Sequence, residues 1–82
     1  MTIEELFQVM QRLVAEQFAM DPSEITMDTS FAEDLSADSV DLVEIVMAME
    51  DEFEIGEVPE DEIGSIKTVG DAVNYLASKS AR

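Results

Sequence analysis

The stretch ADSVDLVEIVMAMEDEF, residues 37–53, predicts the helix on which the rest of this chain is built. It contains no Gly or Pro, and most of its residues favour helix. A period of 3.6 residues places a set of apolar side chains on one side, namely Leu42, Ile45, Val46, Met49 and Phe53. Val40 and Met47 fall on the opposite side, beside Glu44 and Asp51. Apolar residues in the middle of a polar face indicate a contact surface with an acidic border.

A single serine hydroxyl stands at the start of this predicted helix. Asp38 occupies the N-cap position, Ser39 the first helical position and Asp41 the N3 position. The hydroxyl of Ser39 therefore lies where free N–H groups and the helix macrodipole favour an anion. Taken alone, without further context, Ser39 is better explained as an ordinary serine at a helix start.

Composition and charge argue against several classes of function. Twenty acidic residues against four basic ones give a formal charge of −16, so a basic protein surface is the expected partner, with no nucleic acid and no membrane insertion. The chain has no Cys and no His, which removes disulfides, thiol catalysis and the commonest general base and metal ligand. If Ser39 were a catalytic nucleophile, only Lys67 or Lys79 could act as the lysine general base that activates it. We therefore expect no enzyme and no specific metal site, although weak divalent binding at residues 50–54 stays open.

Upstream of the central stretch, the sequence predicts one helix and a long loop. Thr2 and Glu5 form a capping box, and an apolar stripe with helical spacing continues to about Ala19. Residues 20–37 form the loop, in which Asp21-Pro22 can start one short turn. A loop of this length in so small a domain must be pinned by apolar side chains, and the candidates are Ile25, Phe31 and Leu35.

Downstream, the sequence predicts one helical turn over residues 60–64 and a final helix to about Lys79, with Thr68 and Asp71 as its capping box. Residues 79–82 are expected to fray. The chain is therefore predicted to be one all-α domain, a small bundle of three main helices and one short helix with a long first loop. The aromatic and Met side chains assigned to its core are Phe7, Phe18, Phe31, Met49 and Phe53. With no bilayer-length apolar run and no signal peptide, the expected compartment is the cytoplasm.

Together these residues resemble a known family. The sequence FAEDLSADSVD, residues 31–41, leads into Val43-Glu44 and then MAME, residues 47–50, and this run looks like the acyl carrier protein family. The resemblance extends over nearly the whole chain and is strongest with the free-standing carriers of type II fatty acid synthesis. Further matching segments are residues 2–5, Glu16-Gln17, Ile25-Thr26, Ser30-Phe31, Val58-Pro59, Thr68-Val69 and residues 72–75.

The resemblance implies a function for Ser39. In this family the motif serine carries a covalent 4′-phosphopantetheine arm that a carrier protein synthase transfers from coenzyme A, and the terminal thiol holds the growing acyl chain as a thioester. The chain would then be a non-enzymatic acyl carrier, a phosphoprotein of fatty acid biosynthesis. The alternatives are a carrier for polyketide or other specialised acyl groups, and an acidic interaction protein without a prosthetic group.

The resemblance also implies positions for the partners and for the acyl chain. The expected partners are the carrier protein synthase, acyltransferases, ketosynthases and other fatty acid synthesis enzymes with basic surfaces, with this chain as a monomer. Their contact positions map to Asp38, Val40, Asp41, Glu44, Met47, Glu50 and Asp51. The acyl pocket would lie between the central helix and the later ones, lined by Phe31, Val46, Met49, Val58, Ile66, Ala72 and Tyr75.

The sequence departs from the family pattern at three places. Val40 stands where Leu is usual, and Ser36 stands where Gly is usual. The segment between Phe53 and Pro59 is one residue longer than the family pattern. Ser36 is a second serine close to the motif, but it lacks a preceding Asp, so Ser39 is the predicted attachment point.

Overall fold

The computed structural model describes residues 2–80, which fold into a helical bundle. Its elements are α1 (Ile3–Phe18), α2 (Ser39–Phe53), the short α3 (Glu60–Ile63) and α4 (Val69–Ser80), with a 3₁₀ turn at Pro22–Glu24. Within residues 2–80 there is no strand, only one isolated β-bridge. The predicted all-α bundle of three main helices and one short helix is therefore confirmed. No helix in this part of the chain is long and apolar enough to cross a membrane.

Reciprocal side-chain caps fix where α1 and α4 begin. The carboxylate of Glu5 accepts the N–H of Thr2 at 2.8 Å, and Thr2 Oγ1 accepts the N–H of Glu5 at 3.1 Å. The same exchange joins Thr68 and Asp71, with both N···O distances at 3.1 Å. Both predicted capping boxes are present, and they satisfy N–H groups that the helix leaves without acceptors.

The core lies where α1 packs against α4 and, less extensively, against α2. Phe31 and Met49 are buried, as the sequence predicted. Phe7, Phe18 and Phe53 are only partly buried and pack against the edge of the core. So small a bundle cannot enclose every ring, so the interior is filled mainly by aliphatic side chains. The fully buried ones include Leu6, Met10, Val14, Ile25, Ile45, Val46, Val69, Val73 and Leu76.

The long loop between α1 and α2 is pinned by the side chains that the sequence indicated. Ile25 and Phe31 are buried and Leu35 is half-buried. The side-chain amide of Gln11 on α1 also donates to two loop carbonyls, those of Pro22 at 2.8 Å and Ile25 at 2.9 Å. Apolar burial and these hydrogen bonds together hold the loop against α1.

The same loop is joined through its backbone to the segment that begins α4. The N–H of Phe31 donates to the carbonyl of Lys67 at 3.0 Å, and the N–H of Val69 donates to the carbonyl of Thr29 at 2.9 Å. These bonds flank the isolated antiparallel bridge. They fix the loop, and with it the approach to α2, relative to α4.

One cluster of negative charge lies at the C-terminal end of α2, where a helix tolerates it least. Neither α1, α2 nor α3 has a basic residue in its last turn, and four carboxylates lie at the end of α2 within residues 50–54. The macrodipole is negative at a helix C-terminus, so these charges oppose it. Within residues 2–80 one ion pair offsets them, Arg12 to Glu52 at 3.1 Å between exposed side chains.

Monovalent salt should therefore stabilise the fold. Raising NaCl from about 0.01 to about 0.15 M shortens the Debye length from about 30 to about 8 Å. We expect the free energy of unfolding to rise by about 1 kcal/mol, the scale of one or two relieved charge–dipole contacts. Thermal unfolding followed by circular dichroism measures this, with sucrose of equal osmolarity as the uncharged control. A melting temperature that does not respond to salt would contradict the expectation.

Candidate functional site

Ser39 is the first residue of α2, and its side chain is exposed. Asp38 precedes it in an extended conformation, with φ −93° and ψ −174°. Asp38 Oδ1 accepts the N–H of Asp41 at 2.9 Å, while Asp41 Oδ2 accepts the N–H of Asp38 at 3.3 Å. This capping box starts the helix at Ser39 and holds that residue on a rigid turn. The first-turn N–H groups outside the cap leave partial positive charge beside the Ser39 hydroxyl.

Ser36 occupies a different kind of position. It lies in the loop before α2 with φ 54°, in the left-handed region. A residue without Cβ adopts this conformation at lower cost, which gives a physical reason for the Gly that the resemblance leads us to expect at this position. Ser36 does not begin a helix, so its hydroxyl lacks the electrostatic setting that Ser39 has.

A cleft of about 610 Å³ opens beside Ser39. The start of α2 contributes Ser39 and Leu42, and the segment before α4 contributes Gly64, Ile66, Lys67 and Thr68. Its apolar lining is Phe31, Ala32, Ala37, Leu42 and Ile66, and its charged lining is Asp28, Glu33, Asp38 and Lys67. The fold therefore brings Lys67 and Ser39 to one cleft, whereas the sequence only placed this lysine near a different helix end.

The residues predicted for the acyl pocket divide into two groups. Phe31 and Ile66 line the cleft. Val46, Met49, Val58 and Ala72 are buried in the core, and Tyr75 packs against it half-buried. All seven belong to one apolar cluster, but only two of them border the open cleft.

Tyr75 on α4 lies near carboxylates of α2 and α3. Burial, together with a hydrogen bond to Glu62 and the negative charges of Glu62, Glu50 and Asp61, raises the pKa of Tyr75 to about 12. A protonated tyrosine hydroxyl can donate to the carboxylate of Glu62 on the short helix, and this interaction favours the neutral phenol. The ammonium of Lys79 lies 5.4 Å from the centre of the Tyr75 ring.

The outer face of α2 carries an exposed apolar stripe. Val40 is 63% exposed and Met47 is 59% exposed, as their places on the polar side of the helix predicted. Val43, 41% exposed, extends the stripe between them. It was not among the predicted contact positions, although its i+3 spacing from Val40 could have identified it.

The acidic residues beside that stripe differ in their exposure and in their hydrogen bonds. Glu44 and Asp51 are exposed, and Glu44 accepts a hydrogen bond from the side-chain amide of Gln17 at 2.6 Å. Glu50 is half-buried, and its Oε2 accepts the N–H of Val58 at 2.7 Å. Glu50 thus ties the segment before α3 to α2, while Glu44 and Asp51 face the solvent.

Glu50→Ala should lower stability, because the N–H of buried Val58 loses its acceptor. We expect a loss of about 1–3 kcal/mol in the free energy of unfolding, the cost of an unsatisfied buried donor. Asp51→Ala is the matched control, since it removes the same charge next to it without removing a hydrogen bond. Urea unfolding of both variants is the measurement. Equal effects of the two substitutions would show that the bond to Val58 contributes nothing.

Comparisons with known proteins identify the family to which this chain belongs. A family model described as a phosphopantetheine attachment site matches residues 8–76. The acyl carrier protein of Lactobacillus acidophilus is 50% identical over 78 residues, which cover 95% of this chain and 96% of that protein. The acyl carrier protein of Clostridium acetobutylicum is 45% identical over 71 residues, 87% of this chain and 91% of that protein.

A comparison with solved structures points to the same family. The structure of an acyl carrier protein from Enterococcus faecalis, known for high thermal stability, is similar to this fold with a TM-score of 0.80 and 35% sequence identity. The match covers 98% of this chain and 100% of that one. A family model matches most of the chain, and two relatives are 45% and 50% identical over most of its length, so this chain belongs to the acyl carrier protein family.

Proposed function

We propose that this chain carries growing acyl chains for fatty acid synthesis, as thioesters on a 4′-phosphopantetheine arm attached to Ser39. The observation that carries the proposal is the position of Ser39. Its side chain is exposed on the first residue of a capped helix, beside an open cleft, and within the matched attachment region. The arm supplies the thiol, which the chain itself lacks because it has no Cys. The chain acts as a carrier and not as an enzyme.

The residues around Ser39 fit an attached phosphodiester. The positive end of the α2 dipole stabilises an anion at this point. Asp38 and Asp41 repel it, but each also uses one carboxylate oxygen to hold the capping box that fixes Ser39. Their other oxygens can attract the metal or basic residues of the carrier protein synthase that installs the arm.

The outer face of α2 is the proposed docking surface for partner enzymes. Val40, Val43 and Met47 offer exposed apolar contacts, and Glu44 and Asp51 add negative charge beside them. A net charge of −16 attracts basic surfaces over long range and disfavours self-association. We propose a cytoplasmic monomer that binds in turn to the carrier protein synthase, acyltransferases and ketosynthases.

The acyl chain needs shelter from water, since a long apolar tail is costly to expose. The cleft gives an opening from Ser39 to Phe31 and Ile66. Beyond these two lie Val46, Met49, Val58 and Ala72 of the closed core. We propose that an acyl chain enters along the cleft and separates α2 from the segment around α3.

Attachment of phosphopantetheine to the protein in solution, here called loading, tests the proposal. The apo protein is incubated with coenzyme A and a carrier protein synthase, and its intact mass is followed. We expect a gain of one phosphopantetheine, located on Ser39 by peptide fragmentation, and subsequent acylation of its thiol by an acyltransferase of fatty acid synthesis. No gain under conditions that convert an established acyl carrier protein would refute the proposal.

Charge reversal at Glu44 tests the docking surface. Glu44→Lys should slow association with a carrier protein synthase by about three- to tenfold, a fraction of the 10- to 1,000-fold that electrostatic steering supplies. Glu24→Lys, in the 3₁₀ turn outside α2, is the control with the same charge change. Stopped-flow association at low and high salt measures both variants. Equal slowing by the two substitutions would show that net charge, and not the α2 surface, directs the encounter.

A further inference from the structure

Lys67 stands apart from the other basic residues in the described part of the chain. Arg12 pairs with Glu52 at 3.1 Å, and the ammonium of Lys79 lies over the ring of Tyr75 at 5.4 Å. The exposed side chain of Lys67 makes no ion pair within residues 2–80, although the chain contains twenty acidic residues. Its positive charge is therefore available to another group.

The backbone of Lys67 is held on both sides. Its carbonyl accepts the N–H of Phe31 at 3.0 Å, and its N–H donates to Asp71 Oδ2 at 3.0 Å. These bonds fix the Cα position of Lys67 at the cleft that Ser39 also lines. The flexible four-carbon stem can then bring the ammonium to different points within this cleft.

The charges around the cleft show what such an ammonium can do. Three carboxylates line it, those of Asp28, Glu33 and Asp38, and Lys67 is the one cation among the residues that line it. A phosphodiester on Ser39 adds a further negative charge next to Asp38. Lysine binds phosphate oxygens as a compact point charge with three donors. Among the side chains that line this cleft, Lys67 is therefore the one that can add to the effect of the α2 dipole and offset the charge of the arm.

We propose that Lys67 is a positioning residue for the prosthetic arm, with its ammonium paired to the phosphodiester on Ser39. The inference rests on the proposed attachment at Ser39. The pairing directs the start of the arm toward the apolar lining formed by Phe31 and Ile66, where an acyl chain finds shelter. Because the lysine is exposed, the pair is weak and opens readily, as an arm that must reach partner enzymes requires.

Nuclear magnetic resonance of the loaded protein tests the pairing. The proteins compared are the wild type, Lys67→Gln, Lys67→Arg and Lys79→Gln, each first confirmed by mass as carrying one phosphopantetheine on Ser39. Loading should shift the side-chain signals of Lys67 and leave those of Lys79 in place. The ³¹P signal of the phosphodiester should move in Lys67→Gln, return toward the wild-type position in Lys67→Arg and stay unchanged in Lys79→Gln, which removes an equal charge. In about 1 M NaCl, with a Debye length of about 3 Å, the wild-type ³¹P signal should approach that of Lys67→Gln.

The experiment distinguishes a failure of the Lys67 pairing from a failure of attachment at Ser39. Identical ³¹P signals in wild type and Lys67→Gln, or Lys67 signals that loading leaves unchanged, would overturn the pairing while attachment at Ser39 stands. Failure to load the wild type would instead refute the proposed function, at the mass measurement and before any ³¹P spectrum is recorded. Equal melting temperatures of the unloaded wild type and Lys67→Gln confirm that the substitution leaves the fold intact.

Discussion

Ser39→Ala is expected to abolish attachment of phosphopantetheine completely and to leave the fold intact. The hydroxyl is the proposed attachment atom, and Ala cannot form the phosphodiester. The side chain of Ser39 is exposed, and the cap that starts α2 is formed by Asp38 and Asp41. The free energy of unfolding should therefore change by no more than about 0.5 kcal/mol. Intact mass after incubation with coenzyme A and a carrier protein synthase measures the loss, and circular dichroism measures the fold.

Ser36→Ala is the matched control for this loss. It removes a hydroxyl three positions earlier, from a residue with φ 54° that does not begin a helix. Because Ala has the same difficulty as Ser in the left-handed region, stability should hardly change. This variant should gain one phosphopantetheine as the wild type does. A mass gain in the Ser39→Ala protein would show that another hydroxyl carries the arm.

Gly70→Ala is expected to destabilise the protein by about 1–3 kcal/mol, the usual cost of overpacking. A Cβ on buried Gly70 would lie 2.9 Å from the carbonyl oxygen of Met27, which also accepts the N–H of Gly70 at 2.8 Å. Neither backbone can move away without weakening the junction between the long loop and α4. A loss of this size lowers the melting temperature by roughly 4–8 °C for each kcal/mol in a domain of this length.

Gly64→Ala gives the same chemical change in open surroundings. A Cβ there would have its nearest neighbour at 3.7 Å, and Gly64 has φ −63°, which Ala adopts freely. Ala also restricts the unfolded chain, so this variant should be stabilised by up to about 1 kcal/mol. Urea unfolding of both variants gives the comparison. A loss at Gly64 equal to that at Gly70 would show that the close approach to Met27 is not the cause.

Local patterns were readable from the sequence because their physical causes are local. A capping box joins residues three apart, so Thr2 with Glu5 and Thr68 with Asp71 could be recognised without any knowledge of the fold. The period of α2 likewise distinguished buried Ile45 from exposed Met47. The position of Ser39 at the start of this helix follows from the same short-range rules.

Contacts between distant segments were decided only by the tertiary structure. Lys67 and Ser39 meet at one cleft because backbone hydrogen bonds join the long loop to the start of α4, and any residue except Pro can donate such a bond. The bond from Val58 to Glu50 spans eight residues, and it half-buries a carboxylate that the family resemblance had assigned to the contact surface. The packing of α2, α3 and α4 decides which apolar side chains border the open cleft and which are enclosed in the core. Periodicity describes only one helix at a time, so it carries no information about that packing.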